Sequence, residues 1–116
     1  MTHPDCLFCK IAAGQIPAQV VHQDGEAVAF VDINPQAPTH LLVIPRKHLA
    51  TANELAPEDE VLVGRLFRLA AKLAAEHGIA ESGWRAVVNT NRGAGQTVFH
   101  LHLHLLGGRP MTWPPG

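Results

Sequence analysis

The sequence predicts an α+β domain in which one long helix accompanies a mainly antiparallel sheet of five strands. A first observation is a pair of short apolar runs on either side of the turn dipeptide Asp24-Gly25, which is typical of a β-hairpin. A second is a stretch in the middle of the chain where leucines from Leu62 to Leu73 recur at helical spacing. Strand-like segments precede and follow this stretch, so the helix divides the sheet-forming sequence into two parts.

The N-terminal half is predicted to form a short helix and three strands. Asp5 is a suitable N-cap for a helix over residues 6–13, and Gly14 is suitable to end it. The first two strands form the hairpin, and Pro45 ends the third because proline lacks the N–H that a strand donates. We expect these strands at residues 18–23, 27–33 and 40–44.

The C-terminal half is predicted to contain the long helix and two further strands. Pro57 suits the first helical turn, the acidic residues after it suit the helix dipole, and Gly78 ends a helix over residues 57–77. A glycine-bearing loop separates the last two strands. We expect the strands at residues 84–89 and 97–106, and the loop at residues 91–96.

Length and composition exclude several classes of protein. The chain has 116 residues, enough for one hydrophobic core, and 47% hydrophobic against 16% charged residues is typical of a globular protein. Nine basic and ten acidic residues give a net charge of −1, so we expect no nucleic-acid partner and no polybasic membrane surface. The sequence shows no apolar run of bilayer length and no signal-peptide pattern, which predicts a cytoplasmic protein.

Three of the eight histidines alternate with leucines near the C-terminus, at His100, His102 and His104. Alternate residues of a strand share a face, so the three imidazoles are expected on one face and the leucines on the other, against the helix. A half-buried strand with a histidine-rich polar side would also give this pattern. Imidazoles in a row suit metal binding or nucleophilic and acid–base chemistry. The preceding loop can present N–H groups to an anion, which favours phosphoryl or nucleotidyl transfer over a metal cage.

The segment around these histidines, residues 96–106, resembles the His-x-His-x-His motif of the histidine triad (HIT) superfamily. The segments similar to its Hint branch, the nucleoside phosphoramidases, are residues 16–18, 30–40, 43–48 and 107–116, the last of which ends in Trp-Pro-Pro-Gly. The resemblance covers nearly the whole chain. It implies a HIT-like five-stranded sheet with one long helix and a short N-terminal helix, in a single HIT domain over residues 1–116.

The resemblance also implies a purine nucleoside phosphoramidase that works through a covalent intermediate. His102 falls on the family's nucleophile, which would attack the α-phosphorus and form a nucleotidyl-histidine that water hydrolyses. His104 is implied to contact the phosphate or the leaving amine. His100 and His40 are implied to hold the ring of His102 and to fix which of its nitrogens is free. No cofactor is expected for the chemistry.

Further residues match the family's contacts with a nucleotide. Asp32 matches the carboxylate that accepts hydrogen bonds from the ribose hydroxyls. The apolar walls around the purine are matched by Leu7, Phe8, Ile11, Ile16, Phe30 and Ile33. The contacts on the phosphate side are matched by Asn89, Gly95, Gln96 and Thr97. The chain departs from eukaryotic relatives at Thr97, where they carry serine, and at Val31, where they carry histidine.

Two cysteines, Cys6 and Cys9, form a Cys-x-x-Cys pair with three competing interpretations. A redox motif of the thioredoxin kind would follow a strand, and only five residues precede Cys6. The thiols could be simply buried, or they could be half of a tetrahedral zinc site. In some bacterial relatives two histidines complete such a site, so the resemblance implies a structural zinc held by Cys6, Cys9, His48 and His100.

The resemblance further implies a symmetric homodimer in which two five-stranded sheets become one ten-stranded sheet. The short fourth strand is a candidate edge for this pairing, and Trp113 would reach the partner's active-site pocket. Two other functions compete with the phosphoramidase. A dinucleoside polyphosphate hydrolase of the Fhit type shares the triad but not the Trp-Pro-Pro-Gly ending. A non-catalytic nucleotide-binding regulatory protein would keep the same binding residues without turnover.

Overall fold

The computed structural model describes residues 3–116, which form one sheet with a long and a short helix. The helices and strands are α1 (Leu7–Ala12), β1 (Val20–Gln23), β2 (Ala27–Val31), β3 (Thr39–Pro45), α2 (Glu60–Glu76), β4 (Trp84–Val87) and β5 (Leu103–Gly107). The strands lie in the order β1-β2-β3-β5-β4, and every neighbouring pair is antiparallel. The predicted fold class, a five-stranded antiparallel sheet in an α+β domain, is therefore confirmed.

Helix α2 covers one face of the sheet with the leucine stripe that the sequence predicts. Leu66, Leu69 and Leu73 are buried in one cluster with Leu103 and Leu105 of β5. Burial of this apolar area is the main driving force that holds the helix on the sheet.

The predicted single helix over residues 57–77 is in fact two elements. Pro57–Asp59 forms a separate 3₁₀ turn, and α2 begins at Glu60. The turn is closed by the carboxylate of Asp59, which accepts a hydrogen bond from the N–H of Ala56 at 2.9 Å.

The opposite face of the sheet is covered by α1 and carries a second, smaller core. Phe8 of α1 packs with Val28 and Phe30 of β2 and with Leu42 and Ile44 of β3. Because β2 and β3 are covered on both faces, nearly all their residues are buried. A strand covered on one face only would show alternating buried and exposed residues. The candidate site lies beside this second core.

The last strand begins six residues later than predicted, at Leu103 and not at residue 97. Its pairing with β3 ends at Val43, opposite Leu103. Two positions further along β3, Pro45 has no N–H to donate to a neighbouring strand. Residues 97–102 therefore leave the sheet, and the N–H of Leu101 donates instead to the carbonyl of Leu49 at 2.6 Å. Of the three triad histidines only His104 lies in a strand, so the prediction that all three share one strand face is wrong.

The predicted ends of three other elements also need correction. The N-cap of α1 is Cys6 and not Asp5, because the Cys6 sulfur accepts the N–H of Cys9 at 3.3 Å. Strand β1 begins at Val20, whose own N–H turns back to the carbonyl of Ala18 at 3.0 Å. Strand β2 ends at Val31, since the carboxylate of Asp32 takes the N–H of the residue two positions on and closes a turn.

The predicted fourth strand over residues 84–89 is shorter, and β4 lies at one edge of the sheet. Its outer side is unpaired within the residues that the structure describes. The edge position agrees with the sequence prediction.

Candidate active site

A cavity of about 280 Å³ opens on the α1 side of the sheet, next to the second core. It is lined by Leu7, Phe8, Ile11, Phe30, Asp32, Ile33, Leu42, Thr97, Val98, His102 and His104. Most of the predicted nucleotide contacts thus meet at one place. Leu42 and Val98 were not predicted. The hairpin and sheet register would have indicated Leu42, because it pairs directly with Phe30 and shares its face.

Four predicted contact residues do not line this cavity, namely Ile16, Asn89, Gly95 and Gln96. Gln96 is buried, and its side-chain amide is already engaged: Nε2 donates to the carbonyls of Ala50 at 2.8 Å and Val98 at 3.0 Å, and Oε1 accepts the N–H of Asn91 at 2.7 Å. This side chain shapes the loop before the triad. The predicted place of Gln96 on the phosphate side stays a prediction.

The tautomer of His102 follows from a single hydrogen bond. Its Nδ1 lies 2.7 Å from the backbone carbonyl oxygen of His100, and a carbonyl can only accept. Nδ1 therefore carries the proton, and Nε2 keeps a free lone pair. Burial lowers the pKa of His102, which keeps the ring neutral and able to act as a nucleophile near pH 7.

Of the two residues predicted to hold the ring of His102, His100 does so through its backbone carbonyl, whereas His40 contacts His104. His102 is held by the backbone of His100, whose own ring points away: its Nε2 donates to the carbonyl of Pro45 at 2.7 Å. The ring of His40 contacts His104 instead, with Nε2 of His40 at 2.9 Å from Nδ1 of His104. A sequence motif specifies side chains, so it could not reveal that a backbone carbonyl performs this function.

The tautomer of His104 follows from a chain of two hydrogen bonds. The backbone N–H of Gln36 donates to Nδ1 of His40 at 3.0 Å, so the proton of His40 is on Nε2. That Nε2–H donates to Nδ1 of His104, which places the proton of His104 on its remaining nitrogen, Nε2. Burial, together with the neighbouring His102 and His40, lowers the pKa of His104 to about 4.

The cavity therefore contains two neutral imidazoles with complementary properties. The ring centroids of His102 and His104 are 5.0 Å apart. His102 offers a lone pair and His104 offers an N–H, so the pair can attack an electrophilic centre and donate a hydrogen bond to the same group. Asp32 lines the same cavity, with one carboxylate oxygen 3.4 Å from Nε2 of His40 and the other bound to the N–H of Asn34 at 2.8 Å.

A second cluster lies behind the triad, where donor atoms of Cys6, Cys9, His48 and His100 are all within 4.8 Å of one another. Nδ1 of His100 lies 3.3 Å from the sulfur of Cys6 and 3.2 Å from Nδ1 of His48, which itself lies 3.3 Å from the sulfur of Cys9. Tetrahedral zinc with Zn–S and Zn–N bonds of the usual length separates its donors by about 3.3–3.8 Å. Because Nε2 of His100 donates to Pro45, its Nδ1 has a lone pair for a metal. The geometry and the donor chemistry fit a zinc ion.

Asp32, His40 and His104 form another compact group, but this one does not fit a metal. Their donor atoms are also within 4.8 Å of one another. The nitrogen of His40 that faces the group is Nε2, and it carries a proton because Nδ1 accepts from Gln36. A protonated nitrogen has no lone pair to give to a metal.

The chain is similar to known proteins over nearly its whole length. Residues 13–111 match the family model of the HIT domain. The chain belongs to the HIT domain family. A purine nucleoside phosphoramidase of Escherichia coli is 50% identical to this HIT protein over 107 residues, which cover 92% of this chain and 90% of that relative.

Solved structures of other HIT proteins have the same fold. A HIT family hydrolase from Legionella pneumophila superposes with a TM-score of 0.96 at 58% identity, over 97% of this chain and all of that one (100%). A histidine triad protein from Clostridium difficile has a TM-score of 0.94 at 38% identity, over 97% of each chain. The family and the hydrolase class predicted from the sequence are confirmed.

Two further features of this HIT protein bear on its surroundings. Trp113 is 83% exposed and does not line the cavity. The segment before it is tied down by Arg85, whose Nη2 donates to the carbonyl of Thr112 at 2.9 Å. Among the residues that the structure describes, neither helix has the length and hydropathy that crossing a membrane requires.

The lowered pKa of His104 predicts that the HIT domain loses stability on acidification. The folded pKa is about 4 and the unfolded pKa about 6.5, so between these pH values only the unfolded chain binds the proton. The contribution of His104 to the free energy of unfolding is therefore fully present above about pH 6.5. It decreases towards pH 4 by up to about 1.4 kcal/mol per pH unit.

Urea unfolding in the presence of a chelator, at several pH values between about 7 and 4.5, measures this slope. His104→Asn keeps an acceptor for His40 but does not titrate, so its slope should be smaller than that of the wild type. Equal slopes in the two proteins would contradict the assignment.

Proposed function

We propose that this HIT protein is a purine nucleoside phosphoramidase, which hydrolyses the P–N bond of a purine nucleoside 5′-phosphoramidate. The proposal rests on the complementary tautomers of His102 and His104 in the cavity. Nε2 of His102 is unprotonated and Nε2 of His104 is protonated, as their backbone and side-chain partners require. The name of the Escherichia coli relative, at 50% identity, supports this substrate class.

In the first step of the proposed reaction, Nε2 of His102 attacks the phosphorus, and the P–N bond to the amine breaks. The product is a nucleotidyl-histidine. The N–H of His104 donates a hydrogen bond to the departing nitrogen, and solvent supplies the proton with which the amine leaves. Such covalent catalysis divides one difficult displacement at an anionic phosphorus into two easier ones.

Attack converts the neutral ring of His102 into a cation, because Nδ1 keeps its proton. Two groups stabilise this positive charge. The carbonyl oxygen of His100 accepts a hydrogen bond from Nδ1 at 2.7 Å. The negative charge of the nearby Asp32 favours the cationic form of the His102 ring. In the second step water attacks the phosphorus, Nε2 of His102 leaves, and the nucleoside monophosphate and a proton are released.

The rest of the cavity suits a nucleoside. Asp32 places an acceptor at the cavity wall, as ribose hydroxyls require. Leu7 is 44% exposed and Ile33 is 99% exposed, so both present apolar area to a flat base. An apolar cleft with a few convergent polar groups is typical of a small-molecule site.

The phosphoramidase proposal predicts that His102→Ala stops AMP release from adenosine 5′-phosphoramidate. The rate should fall at least about a thousandfold because the variant has no nucleophile, while the dissociation constant of AMP should change only a few-fold. His77→Ala removes an exposed histidine at the end of α2, outside the cavity, and should keep full turnover.

The same assay separates the two competing functions. Release of AMP from diadenosine polyphosphates, but not from the phosphoramidate, would indicate a hydrolase of the Fhit type. Tight AMP binding with no turnover of either substrate by the wild type would indicate a regulatory binding protein.

We also propose that Cys6, Cys9, His48 and His100 hold one structural zinc ion. The support is the set of donor distances of 3.2–3.5 Å and the free lone pair on Nδ1 of His100. A closed site with four protein ligands would supply folding energy and would leave no open position for a substrate.

This zinc proposal predicts about one zinc per chain by elemental analysis of the purified protein. Cys9→Ser should lose the metal and unfold at a lower temperature, because an incomplete site binds weakly. His22→Ala, at a histidine outside the cluster, should keep the metal. A wild type that is purified without metal and melts at the same temperature with and without added zinc would contradict the proposal. It would indicate that the two thiols are simply buried.

We further propose that the protein is a homodimer paired through β4 and the neighbouring face of α2. Leu55, Val63, Phe67, Val88 and Leu101 line an apolar depression of about 210 Å³ next to the edge strand β4. Burial against a second copy would cover this face and the edge together. Trp113, largely exposed in the single chain, is then proposed to contact the partner's pocket.

The dimer proposal predicts about twice the chain mass of 12.5 kDa by sedimentation equilibrium at micromolar concentration. Phe67→Glu should sediment as a single chain, because it buries an unpaired charge in the interface. Val61→Glu changes an exposed position of α2 that does not line the depression, and it should stay dimeric. A wild type at the single-chain mass would contradict the proposal.

A further inference from the structure

Phe8 makes contacts that its predicted place in the nucleobase wall does not explain. It lies in the first turn of α1 and is only 5% exposed. Its ring is nearly perpendicular to that of His102, at 85° with the centroids 5.1 Å apart. It makes similar edge-to-face contacts with Phe30 at 5.4 Å and with His100 at 6.1 Å. These are favourable geometries for aromatic pairs.

Exposure separates Phe8 from Leu7 and Ile33, although Phe30 and Leu42 of the same lining are as buried as Phe8, at 4% and 5%. Leu7 and Ile33, at 44% and 99% exposed, have surface to offer to a base. Phe8 has almost none, because its ring is already covered by Phe30 and the two imidazoles. Its contact area is therefore used inside the protein, on the nucleophile.

The nucleophile needs a contact of this kind. The hydrogen bond from Nδ1 to the carbonyl of His100 fixes one atom of the His102 ring. The lone pair of Nε2 lies in the ring plane, so its direction depends on the tilt of the whole ring. In-line attack at phosphorus is sensitive to that direction, and a small misplacement can cost about a hundredfold in rate. A rigid ring packed against His102 restricts the tilt.

The position of Phe8 is itself fixed by two contacts of the Cys6 sulfur. The Cys6 sulfur accepts the N–H of Cys9 at 3.3 Å and caps the turn that contains Phe8. The same sulfur lies 3.3 Å from Nδ1 of His100, the residue whose carbonyl holds His102. The turn of α1 and the hydrogen-bond acceptor of the nucleophile are thus anchored to each other.

We propose that Phe8 is a positioning residue for the His102 imidazole, and that it acts on the chemical step more than on nucleotide binding. The proposal rests on the proposed function, since it takes His102 as the nucleophile of the phosphoramidase.

Two substitutions at neighbouring positions test this. Phe8→Leu keeps an apolar side chain but loses the flat ring, so kcat for adenosine 5′-phosphoramidate should fall at least about tenfold, with the dissociation constant of AMP within about threefold of the wild type. Leu7→Ala removes exposed wall area and should show the opposite pattern, with weaker AMP binding as the main effect. Weaker AMP binding with unchanged kcat in Phe8→Leu would overturn the proposal and return Phe8 to the wall.

A stability control separates positioning from general destabilisation. Leu69→Ala truncates a core residue of α2, which packs on the other face of the sheet, and should lower the melting temperature at least as much as Phe8→Leu. Its kcat should stay near that of the wild type. Phe8→Tyr retains the ring and should keep kcat within about threefold. A loss of kcat in Phe8→Tyr or Leu69→Ala as large as in Phe8→Leu would overturn the proposal.

A spectroscopic measurement does not depend on turnover. The Nδ1 proton of His102, held against a carbonyl at 2.7 Å, should give a slowly exchanging downfield signal in ¹⁵N-edited NMR spectra of the wild type. In Phe8→Leu this proton should exchange faster with water. A wild type without phosphoramidase activity would refute the proposed function alone, while unchanged exchange in Phe8→Leu would refute the positioning of the ring.

Discussion

The pairing of β3 with β5 ends two residues before Pro45, so the segment that precedes β5 lies outside the sheet. This segment contributes His100 and His102 to the two candidate sites. Pro45 has no N–H to extend the ladder, and its carbonyl is taken by Nε2 of His100 at 2.7 Å. The chain before β5 is therefore free to turn the ring of His100 towards the cysteines and the ring of His102 towards the cavity. Had the strand continued, the rings of His100 and His102 would lie on one face of the sheet.

Backbone groups decide which nitrogen of each imidazole is free. A carbonyl binds His102, another carbonyl binds His100, and the N–H of Gln36 binds His40. Because these partners belong to the folded scaffold, the lone pairs and protons are oriented before any ligand arrives, which is the condition for electrostatic preorganisation. The same partners explain why one histidine cluster can accept a metal and the other cannot.

Much of this arrangement could be predicted from the sequence, but not all of it. Local periodicity located α2 and the first hairpin, and the resemblance to a known family brought together Asp32, His102 and His104. The alternation of histidine and leucine predicted too long a last strand, because the end of a strand depends on its distant neighbour Pro45. The use of a sulfur as the cap of α1 and of peptide carbonyls as partners of imidazoles depends on the third dimension, which a pattern of side chains does not encode.

The group that fixes the tautomer of His102 is a peptide carbonyl, and this has a consequence for heredity. Every amino acid at position 100 has the same backbone carbonyl, so no substitution there deletes the acceptor chemically. Mutations at this position change only the ring, which faces the cysteines. Substitutions at position 100 can therefore alter the contact between its ring and the cysteines, whereas the hydrogen bond to His102 depends on the path of the main chain.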